Sequence, residues 1–215
     1  MSLYELQMIG TAVFAITGVL AVSQKELDAF GGLVLGVVTS LGGGTLRDLI
    51  IGAPVFWVQD NNYVWAAVIA SIAAFFVGRV FRGAFDLLLY LDGLGAALFA
   101  VAAANKVLGM QLGTPVAVIM GVLTAIGGGL VRDVLAGRKT LLMTREIYAT
   151  PILLGCTVYV LLRQYAPDFA LAGVISVVLM FGIRAASIRW NLQMPGWLTS
   201  GGDESGKAAG DSTAA

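Results

Sequence analysis

Two copies of one short phrase stand in this chain: Gly42-Gly43-Gly44-Thr45-Leu46-Arg47-Asp48-Leu49 and Gly127-Gly128-Gly129-Leu130-Val131-Arg132-Asp133-Val134. Each begins inside a stretch apolar enough to cross a bilayer. Three glycines in a row make a poor helix segment, each about 1 kcal/mol worse than alanine. An arginine and an aspartate in hydrocarbon cost roughly 2.5–3.5 kcal/mol per charge on insertion scales. The chain carries both costs twice, at matching places. The use they imply is passage of something polar across a membrane.

The chemistry such residues offer is coordination by backbone. Glycines leave the main chain unshielded, so a helix can unwind there and expose carbonyl oxygens, which suit a partly dehydrated alkali cation. Non-helical backbone at membrane depth is tolerated only where it is buried or lines a watery cavity. Gly42, Gly43, Gly44, Gly127, Gly128 and Gly129 are therefore read as breaks in two spans and as part of an ion pathway. Thr39 and Thr124 precede the triplets by three residues. Their hydroxyls either join the wall of that pathway or bond back to their own helices, and the lining role is slightly preferred. Close helix packing is the plainer use of glycine, and Gly32 with Gly36 makes such a small-residue face. Packing explains three in a row, twice, less well than a functional break does, so packing is expected as a second role.

Neighbours on a helix lie about 100° apart at 3.6 residues per turn. Arg47 is thus not expected to face Asp48, nor Arg132 to face Asp133; each must find a partner on another helix or in water. Asp48 and Asp133 are candidates for attracting cations near two mouths, with Arg47 and Arg132 positioning them or gating. The alternative is a neutralised pair that fixes the packing of spans two and five. Asp92, early in span four, either pairs with one of the arginines or lines the pathway. Lys106, which with Asn105 closes span four, snorkels to the interface by default and joins Arg47 and Arg132 as a candidate for gating.

The elements that must position these residues are legible from composition. The 215 residues are 58% hydrophobic and 12% charged, with a mean hydropathy of +0.88, which excludes an ordinary soluble domain. Formal net charge is zero and histidine is absent, so nothing points to nucleic acid, zinc or histidine-based catalysis. Cys156, the one cysteine, reads as a small core residue. Hydropathy marks seven segments near Tyr4–Val22, Leu27–Ile51, Tyr63–Phe81, Phe85–Lys106, Thr114–Ala136, Glu146–Gln164 and Asp168–Ser187. Each approaches or exceeds the roughly 20 residues that span hydrocarbon. The first charge is Glu5 and no cationic leader precedes the first segment, which is expected to be retained as a span.

Orientation follows from the cations. Lys25, Arg79, Arg82, Arg138, Lys139, Arg145, Arg184, Arg189 and Lys207 fall on one side, against Lys106 and Arg163 on the other. The first side is cytoplasmic, which places the C-terminus inside and the N-terminus outside. Trp57, Trp65, Trp190 and Trp197 fit interfacial anchors. Arg79 and Arg82 can meet anionic headgroups of the membrane lipids, although the charge bias accounts for them more simply. Residues 191–215 turn to Gly, Ser and Ala with scattered charge and read as a disordered cytoplasmic tail.

The two motifs lie 85 positions apart, and at that offset Gly10 falls on Gly95, Phe14 on Phe99, Gly36 on Gly121, Thr39 on Thr124, Gly52 on Gly137 and Tyr63 on Tyr148. A repeat containing three spans must insert its second copy upside down, the pattern in which interrupted helices meet near the midplane. The expected organisation is a first three-helix repeat over 1–82, a second, inverted one over 83–166, and a seventh span over 167–190.

With its paired triple glycines followed by Arg-Asp and its three-plus-three-plus-one plan, the chain resembles the trimeric intracellular cation channel family, prokaryotic branch, over nearly all of residues 1–190. Related small bacterial membrane proteins are also described as glycine transporters. The resemblance implies an all-α membrane fold, a homotrimer in the bacterial inner membrane, and one pore inside each protomer. The long basic tails of animal members are absent.

The leading functional expectation is a passive channel for potassium, with sodium as a second permeant ion, and no metal beyond that transient monovalent cation. The runner-up is a secondary transporter of a small zwitterion such as glycine. There, half-helix N-termini would hold the carboxylate and an aspartate the ammonium. No nucleophile–base arrangement or metal-ligand cluster is visible, so neither an enzyme nor a cofactor is expected.

Overall fold

In the computed structural model, residues 3–23, 28–78, 84–144 and 146–194 are described. They form α1 (Leu3–Ala21), α2 (Ala29–Ile50), the single turn α3 (Phe56–Gln59), α4 (Asn62–Gly78), α5 (Ala84–Gly109), α6 (Thr114–Leu135), α7 (Ala149–Tyr165) and α8 (Ala172–Arg189), with a 3₁₀ turn at Leu141–Met143. Five of these, α1, α2, α5, α6 and α8, are long and apolar enough to cross a membrane. The helices α4 and α7 run 17 residues each. Lys25, Arg79, Arg82, Arg145, Trp197, Lys207 and residues 195–215 of the C-terminal tail lie outside the described residues.

Local chemistry sets the helix ends. Asp28 caps α2, accepting from the Gly31 amide at 2.7 Å, which satisfies one otherwise orphaned donor. At the other end of α2 the chain reverses through Gly52 at φ 66°, and after α6 through Gly137 at φ 59°. Both sit in the left-handed conformation that closes a helix and that a side chain resists.

The α5 helix forms the centre of the molecule, packed against α1, α6, α7 and α8. Its run of Ala96, Ala97, Ala100, Ala102, Ala103 and Ala104 is fully buried. Small side chains let neighbouring helices approach closely, which is what holds helices together in lipid. Large apolar residues such as Trp65, Ile69 and Phe76 of α4 or Val178 of α8 lie on the outside, as expected of a surface facing acyl chains.

Contacts between the halves are reciprocal, as a two-fold relation requires. Phe14 of α1 stacks on Phe99 of α5, ring centroids 5.4 Å apart. Each ring lies where the other half has a glycine, Phe99 against Gly10 and Phe14 against Gly95. A Cβ on Gly36 would strike Ser71 Oγ and the Ala15 carbonyl; one on Gly121 would meet Cys156 Sγ at 2.7 Å and the Ala100 carbonyl at 3.1 Å. Cys156 therefore fills the place of Ser71, 85 residues earlier, as a fully buried small side chain.

The expected interruptions at the triple glycines are not found: α2 and α6 are continuous helices through Gly42–Gly44 and Gly127–Gly129. The glycines serve a crossing instead. A Cβ on Gly43 would strike the Thr124 carbonyl oxygen, and one on Gly128 would lie 2.5 Å from the Thr39 carbonyl oxygen. The backbones of α2 and α6 thus touch where no side chain fits, and burial of this kind holds glycine in a helix against its intrinsic preference.

Candidate functional site

At each end of this crossing stands a buried ionic cluster. Near the C-terminus of α2, Arg47 Nε meets Asp48 Oδ1 at 2.7 Å, and Lys106 Nζ, from the end of α5, meets the same oxygen at 2.7 Å. The other oxygen, Asp48 Oδ2, accepts from the Phe56 amide at 2.9 Å. Near the C-terminus of α6, Arg132 Nε meets Asp133 Oδ1 at 2.9 Å and Arg132 NH1 meets Asp92 Oδ1, on α5, at 2.7 Å. There Asp133 Oδ2 accepts from the Leu141 amide at 3.1 Å. Phe56 and Leu141 each lie eight residues beyond their aspartate. The two cages are built alike.

The expectation that each arginine and its neighbouring aspartate would not meet is therefore corrected. The 100° between adjacent positions separates Cβ directions, not the ends of long side chains. The amide eight residues on pins each aspartate, and the guanidinium stem folds sideways to reach it. Lys106 pairs with Asp48 instead of merely snorkelling, although its side chain keeps 22% exposure.

Tyrosines extend both clusters. The Tyr63 hydroxyl donates to Gln7 Oε1 at 3.0 Å, and the Tyr148 hydroxyl and Asp92 Oδ1 both stand over Gly129, each 3.1 Å from where a Cβ would be. Gln7 and Asp92 are themselves 85 positions apart, as are the tyrosines. Among the described residues, α8 reaches only the second cluster: Arg184 binds Glu146 Oε2 at 2.8 Å and lies 5.2 Å from the Tyr148 ring centroid. Sequence inspection missed Gln7, Glu146 and Arg184. The repeat offset applied to Asp92 was the signal that points to Gln7; Glu146 and Arg184 have no periodic signal.

Asp48, Asp92, Asp133, Arg47 and Arg132 are all nearly or fully buried. Around Asp48 the formal charges of Arg47, Asp48 and Lys106 leave one positive unit; around Asp133 those of Arg132, Asp92 and Asp133 leave one negative unit. Asp92 and Lys106 stand fourteen residues apart on α5, so the clusters are separated by about 21 Å along that helix. Between them, Thr39 Oγ1 donates to the Leu35 carbonyl and Thr124 Oγ1 to the Met120 carbonyl, both at 2.6 Å. The threonines take the back-bonded alternative, and only their oxygen lone pairs remain to offer.

A cavity of about 190 Å³ opens between α1, α5, α7 and α8, with Asn105, Tyr159, Arg163 and Phe169 in its wall. Tyr159 donates to Asn105 Oδ1 at 2.8 Å. Among the described residues no group of three or more His, Cys, Asp or Glu is placed to hold a metal ion.

A helical membrane protein duplicated within one chain, with oppositely charged clusters at the ends of a glycine crossing, is the class these features define. A family model described as "Glycine transporter" matches twice, at residues 4–79 and 89–164. The two matches begin 85 positions apart, the same offset as the motifs. The inner membrane protein YadS of Escherichia coli is 40% identical over 210 residues, covering 96% of this chain and 100% of that protein. A trimeric intracellular cation channel orthologue from Rhodobacter sphaeroides superposes with a TM-score of 0.85 at 39% identity, covering 88% of this chain and 98% of that one. A second prokaryotic channel of this kind, crystallised in 0.5 M KCl, gives a TM-score of 0.82 at 29% identity over 89% and 98% of the two chains. The chain belongs to the prokaryotic branch of the trimeric intracellular cation channel family, whose family model carries the glycine-transporter description.

Proposed function

We propose that this protein is a passive channel for monovalent cations, potassium and also sodium, acting as a homotrimer in the bacterial inner membrane with one pore in each protomer. Agreement with the Rhodobacter sphaeroides channel along 88% of this chain is the observation that carries the reading. In our reading all seven long helices cross the membrane, residues 1–82 and 83–166 form inverted repeats, and 167–190 supply the seventh span. In the same reading the N-terminus lies outside and the C-terminus inside, which the cation bias favours.

The pathway follows the α2–α6 crossing, past Thr39, Gly42, Gly43, Gly44, Thr124, Gly127, Gly128 and Gly129. The clusters of Arg47, Asp48 and Lys106 and of Arg132, Asp133 and Asp92 stand at its two ends. Because the Thr124 and Thr39 carbonyls abut Gly43 and Gly128, this conformation is the closed one. Conduction requires the helices to part there, which frees carbonyl and hydroxyl oxygens for a cation. Lys106 is the partly exposed member of the first cluster and the most readily displaced, so gating draws on it first, with Arg47 and Arg132 behind it.

Single-channel recording in asymmetric KCl tests this reading. Discrete steps whose reversal lies toward the potassium potential support it; their absence, with trimers assembled in the bilayer, removes it. The family-model description favours a second reading, secondary transport of glycine. Saturable glycine uptake without unitary current would establish that instead.

A further inference from the structure

The two halves serve as templates for one another, and one position breaks the correspondence. In the second half a carboxylate from α5 closes the Arg132 guanidinium, NH1 to Asp92 Oδ1 at 2.7 Å. Eighty-five positions before Asp92 stands Gln7, a neutral amide whose Oε1 is already taken by Tyr63. Arg47 thus lacks the carboxylate that Arg132 has. Its side chain is fully buried, and both NH1 and NH2 are without a hydrogen-bond partner among the described residues, whereas in Arg132 only NH2 is. The Phe56 ring, 5.7 Å from the guanidinium carbon, offers a π face but accepts none of those bonds in the manner of a carboxylate. Lys106 brings a second cation to the same cluster.

We propose that Arg47, with Lys106, forms a binding site for a small carboxylate anion, which gives the Arg47 guanidinium the second carboxylate partner that Asp92 gives Arg132 in the other half. A guanidinium presents parallel donors that match a planar carboxylate, and charge-assisted bonds of this kind are the strong ones. The internal template is one carboxyl group, so the ligand is of the size of acetate or the carboxylate end of an amino acid. Entry is beside Lys106, the partly exposed member of the cluster. Binding of the anion cancels the surplus positive charge at this end of the protomer. The site goes beyond cation conduction and stands whether or not the pore conducts, because binding is measured without current.

The test is thermal unfolding of the purified protein in nanodiscs, at constant total potassium salt, as acetate replaces chloride. A saturable upward shift of the midpoint is expected, since a ligand that binds only the folded state stabilises it. Gln7→Glu installs the missing carboxylate. Its midpoint without acetate should exceed that of the wild type, and its acetate response should be lost. Lys106→Gln should bind acetate roughly tenfold more weakly, the loss of one charge-assisted contact. Glycine in place of acetate separates sources: an equal shift identifies an amino acid ligand, and no shift identifies a simple carboxylate. The proposal is overturned if the wild-type midpoint is the same in acetate and chloride at every composition, or if Gln7→Glu responds to acetate as the wild type does. Should Gln7→Glu not fold, the wild-type and Lys106→Gln curves still decide.

Discussion

Gly43 of α2 faces the carbonyl oxygen of Thr124 on α6, and Gly128 of α6 faces that of Thr39 on α2. This exchange joins the two halves at a close backbone approach. It turns a motif that looks like a helix break into a helix contact, and it makes the three glycines of each triplet unequal.

Gly43→Ala and Gly128→Ala should each destabilise the protein by about 1–3 kcal/mol, the usual cost of overpacking. Gly42→Ala should be neutral or slightly stabilising. Its Cβ would find nothing closer than Val131 Cγ2 at 4.0 Å, and alanine favours the helix by about 1 kcal/mol. Thermal unfolding of the three variants checks this ranking, and equal midpoints would contradict the crossing.

Removing one partner of a buried ion pair costs about 3–5 kcal/mol, because the remaining charge is stranded. Asp133 still faces Arg132 after Asp92→Asn, so the loss should fall near 3 kcal/mol. The triple variant Asp92→Leu, Arg132→Met and Asp133→Asn, which strands no charge and keeps an acceptor for the Leu141 amide, should recover most of it. A double-mutant cycle in chemical unfolding measures the coupling; simple additivity would mean that the 2.7 Å contact contributes nothing.

Voltage should act weakly on opening. Moving one charge through the whole field is worth roughly 2.3 kcal/mol per 100 mV, and Arg47 and Arg132 are fully buried in their clusters while Lys106 keeps 22% exposure. Open probability against voltage should be shallow in the wild type and flatter still in Lys106→Gln. A steep curve, or one that Lys106→Gln leaves unaltered, would place the sensor elsewhere.

Much of this was legible in the sequence. Hydropathy located one long helix in each apolar segment, and the 85-residue offset pointed to pairs that the structure brings into equivalent places, among them Phe14 with Phe99 and Tyr63 with Tyr148. Glycine content was less informative, because low helix propensity signals a break only where nothing else holds the helix. Here the neighbouring backbone does, and that neighbour lies 81 positions away for Gly43 and Thr124. The pairing of Asp92 with an arginine was among the expectations, while the pairs of Arg47 with Asp48 and of Arg132 with Asp133 were hidden for a related reason. Helical geometry fixes where a side chain starts, while the amides of Phe56 and Leu141 decide where the aspartates end.

The distribution of charge also bears on how the chain enters its membrane. Within their spans, α2 carries Arg47 and Asp48, α5 carries Asp92 and Lys106, and α6 carries Arg132 and Asp133. The α5 helix also opens on Asp86, so α2 and α6 are the helices handed to the bilayer in balance, each with a cation and an anion side by side and able to neutralise each other before any partner helix arrives. The surplus of opposite sign at the two ends comes into being only when α5 docks and lends its lysine to one cluster and its aspartate to the other. The two motif helices thus enter as electrically balanced pieces, and the polarity of the finished protomer is a product of assembly.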